Sequence, residues 1–136
     1  MDKPLKNASP ICLPVQNDDP TAHKILTVTG WGGLYESGHS TEQLMAVDVP
    51  VVERNSCSKQ LYTEITKNMF CADYEQGKKD ACQGDSGGPI ISIDKNDIAT
   101  IRGIVSWGYG CAKPGQPGVY TRVGVFVDNF IKANFI

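Results

Sequence analysis

Every apolar stretch in this chain is short and ends in glycine, proline or a polar turn cluster. That single feature constrains the fold most, because it leaves little room for long helices and favours many short strands joined by turns. Six stretches, at residues 24–29, 44–52, 69–74, 89–93, 98–107 and 119–123, are rich in β-branched and aromatic side chains and read as strands. Lys95-Asn96-Asp97 lies between the fourth and fifth and reads as a hairpin turn. The 14 glycines and 8 prolines punctuate the rest, and residues 1–23 read as an extended lead-in. Two segments break the pattern. Residues 53–61 are short and polar, with Asn55-Ser56 as candidate helix caps. Residues 125–135 place Val127, Phe130, Ile131 and Phe135 at helical spacing, as a stripe facing the core. The expected architecture is an all-β, closed or sandwiched antiparallel sheet.

Five cysteines, Cys12, Cys57, Cys71, Cys82 and Cys111, add a covalent constraint. None forms a C-x-x-C pair, and neither His23 nor His39 sits at zinc-site spacing from one, so disulfides are the expectation and no metal site is. Disulfides place the chain in an oxidising compartment. An odd number leaves one thiol free or bonded to another chain. The N-terminal residues lack the apolar core of an export signal, so the reading is of a chain with a missing N-terminal part. Thirteen basic against 15 acidic residues give a net charge of −2, and Lys78-Lys79 is the one basic pair. A nucleic-acid partner is not expected from such a balance, nor a membrane from such short apolar runs.

The segment most apt for chemistry is Asp80-Ala81-Cys82-Gln83-Gly84-Asp85-Ser86-Gly87-Gly88-Pro89. Its glycines let the backbone approach a reacting group closely, and successive N–H groups around Ser86 can converge on one point, as an oxyanion hole requires. Gly, Asp, Ser and Pro are also ordinary turn formers, so the segment alone allows a plain turn. It also matches the G-x-S-x-G nucleophile elbow, which demands a buried strand before the serine, a helix after it and a later histidine. Here a polar stretch precedes, an apolar strand follows Pro89, and no histidine follows His39. The elbow is excluded.

The whole decapeptide resembles the nucleophile segment of the chymotrypsin-like, trypsin-type serine proteases. Further segments resemble the same family in the same order: Ile11-Cys12-Leu13-Pro14, Val28-Thr29-Gly30-Trp31-Gly32, Ser106-Trp107-Gly108-Tyr109-Gly110-Cys111 and Pro117-Gly118-Val119-Tyr120-Thr121-Arg122-Val123. The resemblance implies an antiparallel six-stranded Greek-key barrel, the second barrel of the trypsin-like fold, at residues 24–123. An inter-barrel crossover would precede it at 1–23, and a C-terminal helix would follow at 124–136. It implies Ser86 as the acyl-forming nucleophile and the N–H groups of Gly84 and Ser86 as the oxyanion hole. Asp85 would receive the new N-terminal ammonium of an activated zymogen. Ser106, Trp107, Gly108 and Gly118 would line the substrate pocket, with Asp80 at its floor selecting Arg or Lys. Disulfides Cys57–Cys71 and Cys82–Cys111 follow from the same resemblance, as does an interchain bond at Cys12 to a light chain. Protein protease inhibitors are implied partners, the setting is extracellular, and no cofactor is implied.

The family's histidine and aspartate lie on its first barrel, before the region that this chain resembles. His23, whose surroundings superficially resemble the family's histidine motif, falls in the crossover, and His39 in a polar loop; both read as exposed loop residues. The chain is therefore expected to be a fragment, inactive alone. The alternative is an inactive homologue serving as a binding or regulatory module, against which stands the retention of Ser86, Asp85 and Asp80 together. In the family the terminal helix packs on the first barrel, so Val127, Phe130 and Ile131 are expected to be partly exposed here. Leu26 and Ser92 stand where many members have a linked cysteine pair.

Overall fold

The computed structural model describes residues 7–135; the first six residues of the expected crossover and the last of the expected C-terminal helix lie outside it. Six strands form in the order β1 (Ile25–Gly30), β2 (Met45–Val52), β3 (Met69–Ala72), β4 (Pro89–Ile93), β5 (Ala99–Trp107) and β6 (Gly118–Arg122). They close into an antiparallel barrel in the spatial order β1-β2-β3-β6-β5-β4. The expected Greek-key barrel is thus present, with strand ends shifted by one or two residues. Closure removes both sheet edges, which short strands could not otherwise protect.

Alternation along the strands explains the core. Leu26 and Val28, Val49 and Val51, and Phe70 and Ala72 point inward at period two, joined by Ile90 and Tyr120. The rings of Phe70 and Tyr120 stack with centroids 5.4 Å apart. A side chain on Gly103 would begin 2.5 Å from the Phe70 ring, so a glycine opposite is what admits that ring. Burying each such side chain stabilises the barrel by about 1.5–3 kcal/mol.

Helix α1 (Arg54–Leu61) packs Cys57 and Leu61 against Ile65, Cys71 and Val119. Its cap differs from the expectation. Glu53 is the N-cap, and its carboxylate accepts from Asn55 N at 3.0 Å and Ser56 N at 2.8 Å. Asn55 and Ser56 are therefore donors, because a carboxylate one position before the helix reaches both free N–H groups.

The C-terminal segment is also less regular than expected. A 3₁₀ turn (Val123–Val125), a π-turn (Val127–Lys132) and one α-turn, α2 (Ala133–Phe135), follow one another. Val127 is buried, contrary to its expected exposure, whereas Ile131 is half-buried and Phe130 and Phe135 are exposed. The stripe is therefore core-facing at Val127 only. The hairpin at 95–97 forms as read, held by Asp94 Oδ1, which accepts from Asn96 N and Ile98 N.

The polar stretch at 16–19 ties the lead-in to the barrel. Arg102 pairs with Asp18, and Arg54 and Arg122 pair with Asp19. Arg122 also donates to Lys67 O at 3.2 Å and Asn17 O at 2.5 Å. Leu26 and Ser92 stand at the next step of the β1–β4 register beyond Thr27–Ile91, and Arg102 Nε donates to Ser92 Oγ at 2.8 Å.

Candidate active site

Three strands, β1, β4 and β5, meet the Ser86 loop. Gly87 and Gly88, just before β4, each bond to Val105 of β5: Gly87 N donates to Val105 O, and Gly88 O accepts from Val105 N. Thr29 O of β1 lies 3.6 Å from where a Gly88 side chain would begin. The loop is tight: Asp85 N donates to Cys82 O at 3.0 Å and Gly88 N to Asp85 O at 2.8 Å. Gly84 and Gly87 have φ of 97° and 80°, a left-handed conformation that glycine adopts without strain. Among the described residues, the N–H groups of Gly84 and Ser86 donate to no protein acceptor, although that of Asp85 between them does. Two unpaired donors on alternate residues beside an exposed Ser86 are what a developing oxyanion needs.

Asp85 is turned away from Ser86 toward β1. Its Oδ1 accepts from Gly32 N at 2.8 Å and its Oδ2 from Cys82 N at 3.0 Å. Side chains on Gly30 and Gly32 would begin 2.0 and 2.4 Å from its oxygens, so both glycines make its seat. Sequence reading missed this pairing; the repeated glycines around Trp31 were its one visible signal. The carboxylate lines a cleft of about 200 Å³ with Leu34, Lys78, Lys79 and Ala112.

An adjoining cleft of about 210 Å³, which shares Asp80 and Cys82 with the first, contains both Ser86 and Asp80, along with Ala81, Ser106, Trp107 and Gly118. Gly108 also lines it, and a side chain there would begin 3.8 Å from Gly118 Cα, so the two glycine backbones lie close together. Asp80 Oδ1 accepts from Ala81 N at 2.8 Å and Oδ2 from Ala112 N at 3.1 Å. Burial raises its carboxyl above the ordinary value and the Asp85 charge adds to this, while the two N–H bonds oppose the rise. A carboxylate held there gains from a cation in the slot. Tyr120 stands nearby with its hydroxyl unpartnered, and burial raises its pKa strongly.

Ser106 has a feature that the sequence did not disclose. The β5–β6 register pairs Val105 with Tyr120 and Trp107 with Val119, leaving Ser106 as the extra residue of a bulge. It is exposed and unpaired in the ladder, free to meet an extended peptide. Trp107 packs edge-on against Tyr109 at 5.7 Å.

Both expected intrachain disulfides are present. Cys57–Cys71 joins α1 to β3, and Cys82–Cys111 joins the Ser86 loop to the segment after β5, with Cα atoms 5.2 Å apart. Cys12 is a free, exposed thiol. His23 and His39 are exposed, and neither lines the Ser86 cleft. No helix among the described residues is long and apolar enough to cross a membrane.

Residues 2–130 match the family model described as Trypsin. The chain is 47% identical over 131 residues to Trypsin-1 of Astacus astacus, covering 96% of this chain and 54% of that protein. It is 42% identical over 127 residues to Trypsin eta of Drosophila erecta, covering 92% of this chain and 47% of that one. With the Suppressor of tumorigenicity 14 protein homolog of Bos taurus it shares 41% over 136 residues, covering 98% of this chain but 16% of the relative. The chain thus spans about half the length of the two trypsins. A family match over nearly every residue, on a closed barrel whose strand ends gather Ser86 and Asp80 in one cleft, establishes that the chain belongs to the trypsin family of serine proteases.

Proposed function

We propose that this chain is the C-terminal barrel of a secreted serine endopeptidase that cleaves after arginine and lysine. The observation that carries the proposal is that Ser86 and Asp80 line one cleft. A substrate's basic side chain enters the slot between Gly108 and Gly118 and pairs with Asp80. Its scissile carbonyl then lies over Ser86. The Ser86 oxygen bonds to that carbonyl carbon while a histidine from a first barrel, outside this chain, takes the hydroxyl proton. The resulting oxyanion is held by Gly84 N and Ser86 N, each worth about 2.7–4 kcal/mol. The C–N bond breaks as the same proton passes to the leaving amine, and water hydrolyses the acyl-Ser86 ester.

Asp85, in its seat against Gly32, receives the ammonium that zymogen cleavage releases, and that ion pair shapes the loop carrying Gly84. Exposed Cys12 joins the chain to a light chain. Protein inhibitors that present an arginine or lysine would occupy the same slot.

Ala81 lines the cleft beside Asp80 and offers no hydroxyl to a lysine ammonium, whereas the planar guanidinium of arginine can bond both Asp80 oxygens. Cleavage after Arg over Lys by about tenfold is expected. The test joins this chain to a trypsin-family first barrel and measures kcat/KM on paired Arg and Lys peptides. Loss of all turnover in Ser86→Ala is the expected control. Preference for Phe or Leu would remove the role of Asp80, and no turnover of any peptide would favour an inactive binding module.

A further inference from the structure

A second concave site shares no lining residue with the Ser86 cleft. It has a volume of about 340 Å³ and opens where the segment before β1, the start of α1 and the loop after β3 meet. Its wall carries the carboxylates of Glu53, Asp73 and Glu75 together with His23, and no lysine or arginine. Pro50 and Val52 give it an apolar side.

Asp73 is the member that demands a partner. It follows Ala72, which faces Gly118 across the β3–β6 register, and its own N–H donates to Pro50 O at 3.0 Å. The residue is only 4% exposed, and its Oδ1 has no hydrogen-bond partner. Burial lifts its carboxyl to about 6, with the Asp80 and Glu75 charges adding to the rise and a bond from Tyr74 N–H opposing it. Above that pH the chain holds an ionised, buried carboxylate with one oxygen unsatisfied, which is costly without a cation. Glu53 cannot relieve this: its carboxylate caps the first N–H groups of α1, so it adds negative charge to the site and no donor.

The kind of cation follows from the shape. Among the described residues no three His, Cys, Asp or Glu side chains converge as a metal site, and the volume exceeds that of a bare ion several-fold. An organic cation on an apolar stem fits both walls. We propose that this cleft binds a lysine or arginine side chain of a protein partner, its stem against Pro50 and Val52 and its charge toward Asp73 and Glu75. Nothing in the proposal requires Ser86 to be catalytic.

Binding should strengthen as pH rises from 5 to 8. Asp73 is the group whose ionisation sets this trend; Glu75 on its own loop, Glu53 at the start of α1, Asp80 behind it and His23 from the segment before β1 are the other titratable groups around it. Tyr120 on β6 stays neutral throughout.

The test uses the chain carrying Asp80→Asn, which removes the other cation-binding carboxylate. Nα-acetyl-lysine methylamide is titrated while backbone amide signals are followed by NMR, with the norleucine analogue as the uncharged control. Saturable shifts at Asp73, Glu75 and Gly115 are expected, at pH 8 more than at pH 5. Adding Asp73→Asn should weaken binding about tenfold, the loss of one charge-assisted bond. If that variant loses its dispersed spectrum, Glu75→Gln serves instead, with an expected weakening of about threefold. Equal response to norleucine, equal affinity in the carboxamide variant that folds, or no shifts at these amides would overturn the assignment.

Discussion

Asp80 Oδ1 lies 2.9 Å from the point where a side chain on Gly118 would begin. The floor of the cleft and its wall are therefore one unit, and the wall is bare because the floor needs the space. Gly118→Ala should push the Asp80 carboxylate aside and narrow the slot. The expected result is a loss of at least about tenfold in benzamidine affinity, with the fold retained. Calorimetric titration of both chains measures it, and an unchanged Kd would show that the slot does not depend on this glycine.

The seat of Asp85 is equally tight. A Cβ on Gly32 would begin 2.4–2.6 Å from the Asp85 carboxylate, too close to accommodate by side-chain rotation alone. Gly32→Ala should destabilise the chain by about 1–3 kcal/mol, the usual range for overpacking, and displace the Ser86 loop. Urea unfolding reads the first effect. A variant as stable as the parent would mean that Asp85 can leave its seat freely.

Asp73 makes stability depend on pH in an unusual direction. Its folded-state value, about 6, lies above the ordinary 3.8, so folding favours the protonated form. The group's favourable contribution is complete below the ordinary value and is lost as pH rises through about 6. Across that window the loss is about 3 kcal/mol. Asp73→Asn should therefore gain stability over the parent at pH 7.5 but little at pH 4. Parallel stability curves for the two proteins would refute the assigned shift. Such a gain would also be the usual sign of a residue kept for binding rather than for folding.

Arg122 is 8% exposed and reaches Lys67 O, Asn17 O and Asp19 at once. Arg122→Met should cost about 2–3 kcal/mol, because two part-buried hydrogen bonds lose their charged donor. Lys132→Met, which removes a pair that is half-exposed on both sides, should cost less than about 0.5 kcal/mol. Chemical denaturation of the two variants compares them directly, and similar costs would deny the lead-in its anchoring role.

The Cys82–Cys111 bond closes a longer loop than Cys57–Cys71, 29 against 14 residues of separation. Replacing the first pair by serine should cost about 3–4 kcal/mol and the second about 3 kcal/mol on the chain-entropy account. The first replacement should also abolish benzamidine binding, because it frees the Ser86 loop from the segment after β5. Retained binding in a folded variant would show the loop to be self-supporting.

Much of this was legible in the residues. Short β-branched stretches between turn signals define a barrel strand by strand, because period-two alternation and turn chemistry are local. The decapeptide around Ser86 allowed a plain turn on its own, and its resemblance to the family is what named a candidate nucleophile and flanking donors without coordinates. The misreadings sit where local signals compete. Asn55 and Ser56 are good caps by type, yet a carboxylate at Glu53 reaches their N–H groups first. The C-terminal segment has helical spacing, yet it relaxes into a 3₁₀ turn and a π-turn with Val127 alone buried.

By itself the sequence determined the class of fold and the family and marked the Ser86 loop as the candidate site, since each rests on residues that are neighbours along the chain. Only the tertiary structure decided which distant groups meet. Gly32 seats Asp85 across 53 positions. Asp18 and Asp19 clamp the lead-in to Arg54 of α1 and to Arg102 and Arg122 of the barrel. Asp73, read from the sequence as part of the third strand, lies just beyond it and is left buried with an unpaired oxygen beside two other acids. Barrel closure brings such groups together, and burial then changes what each one costs, which no local pattern encodes.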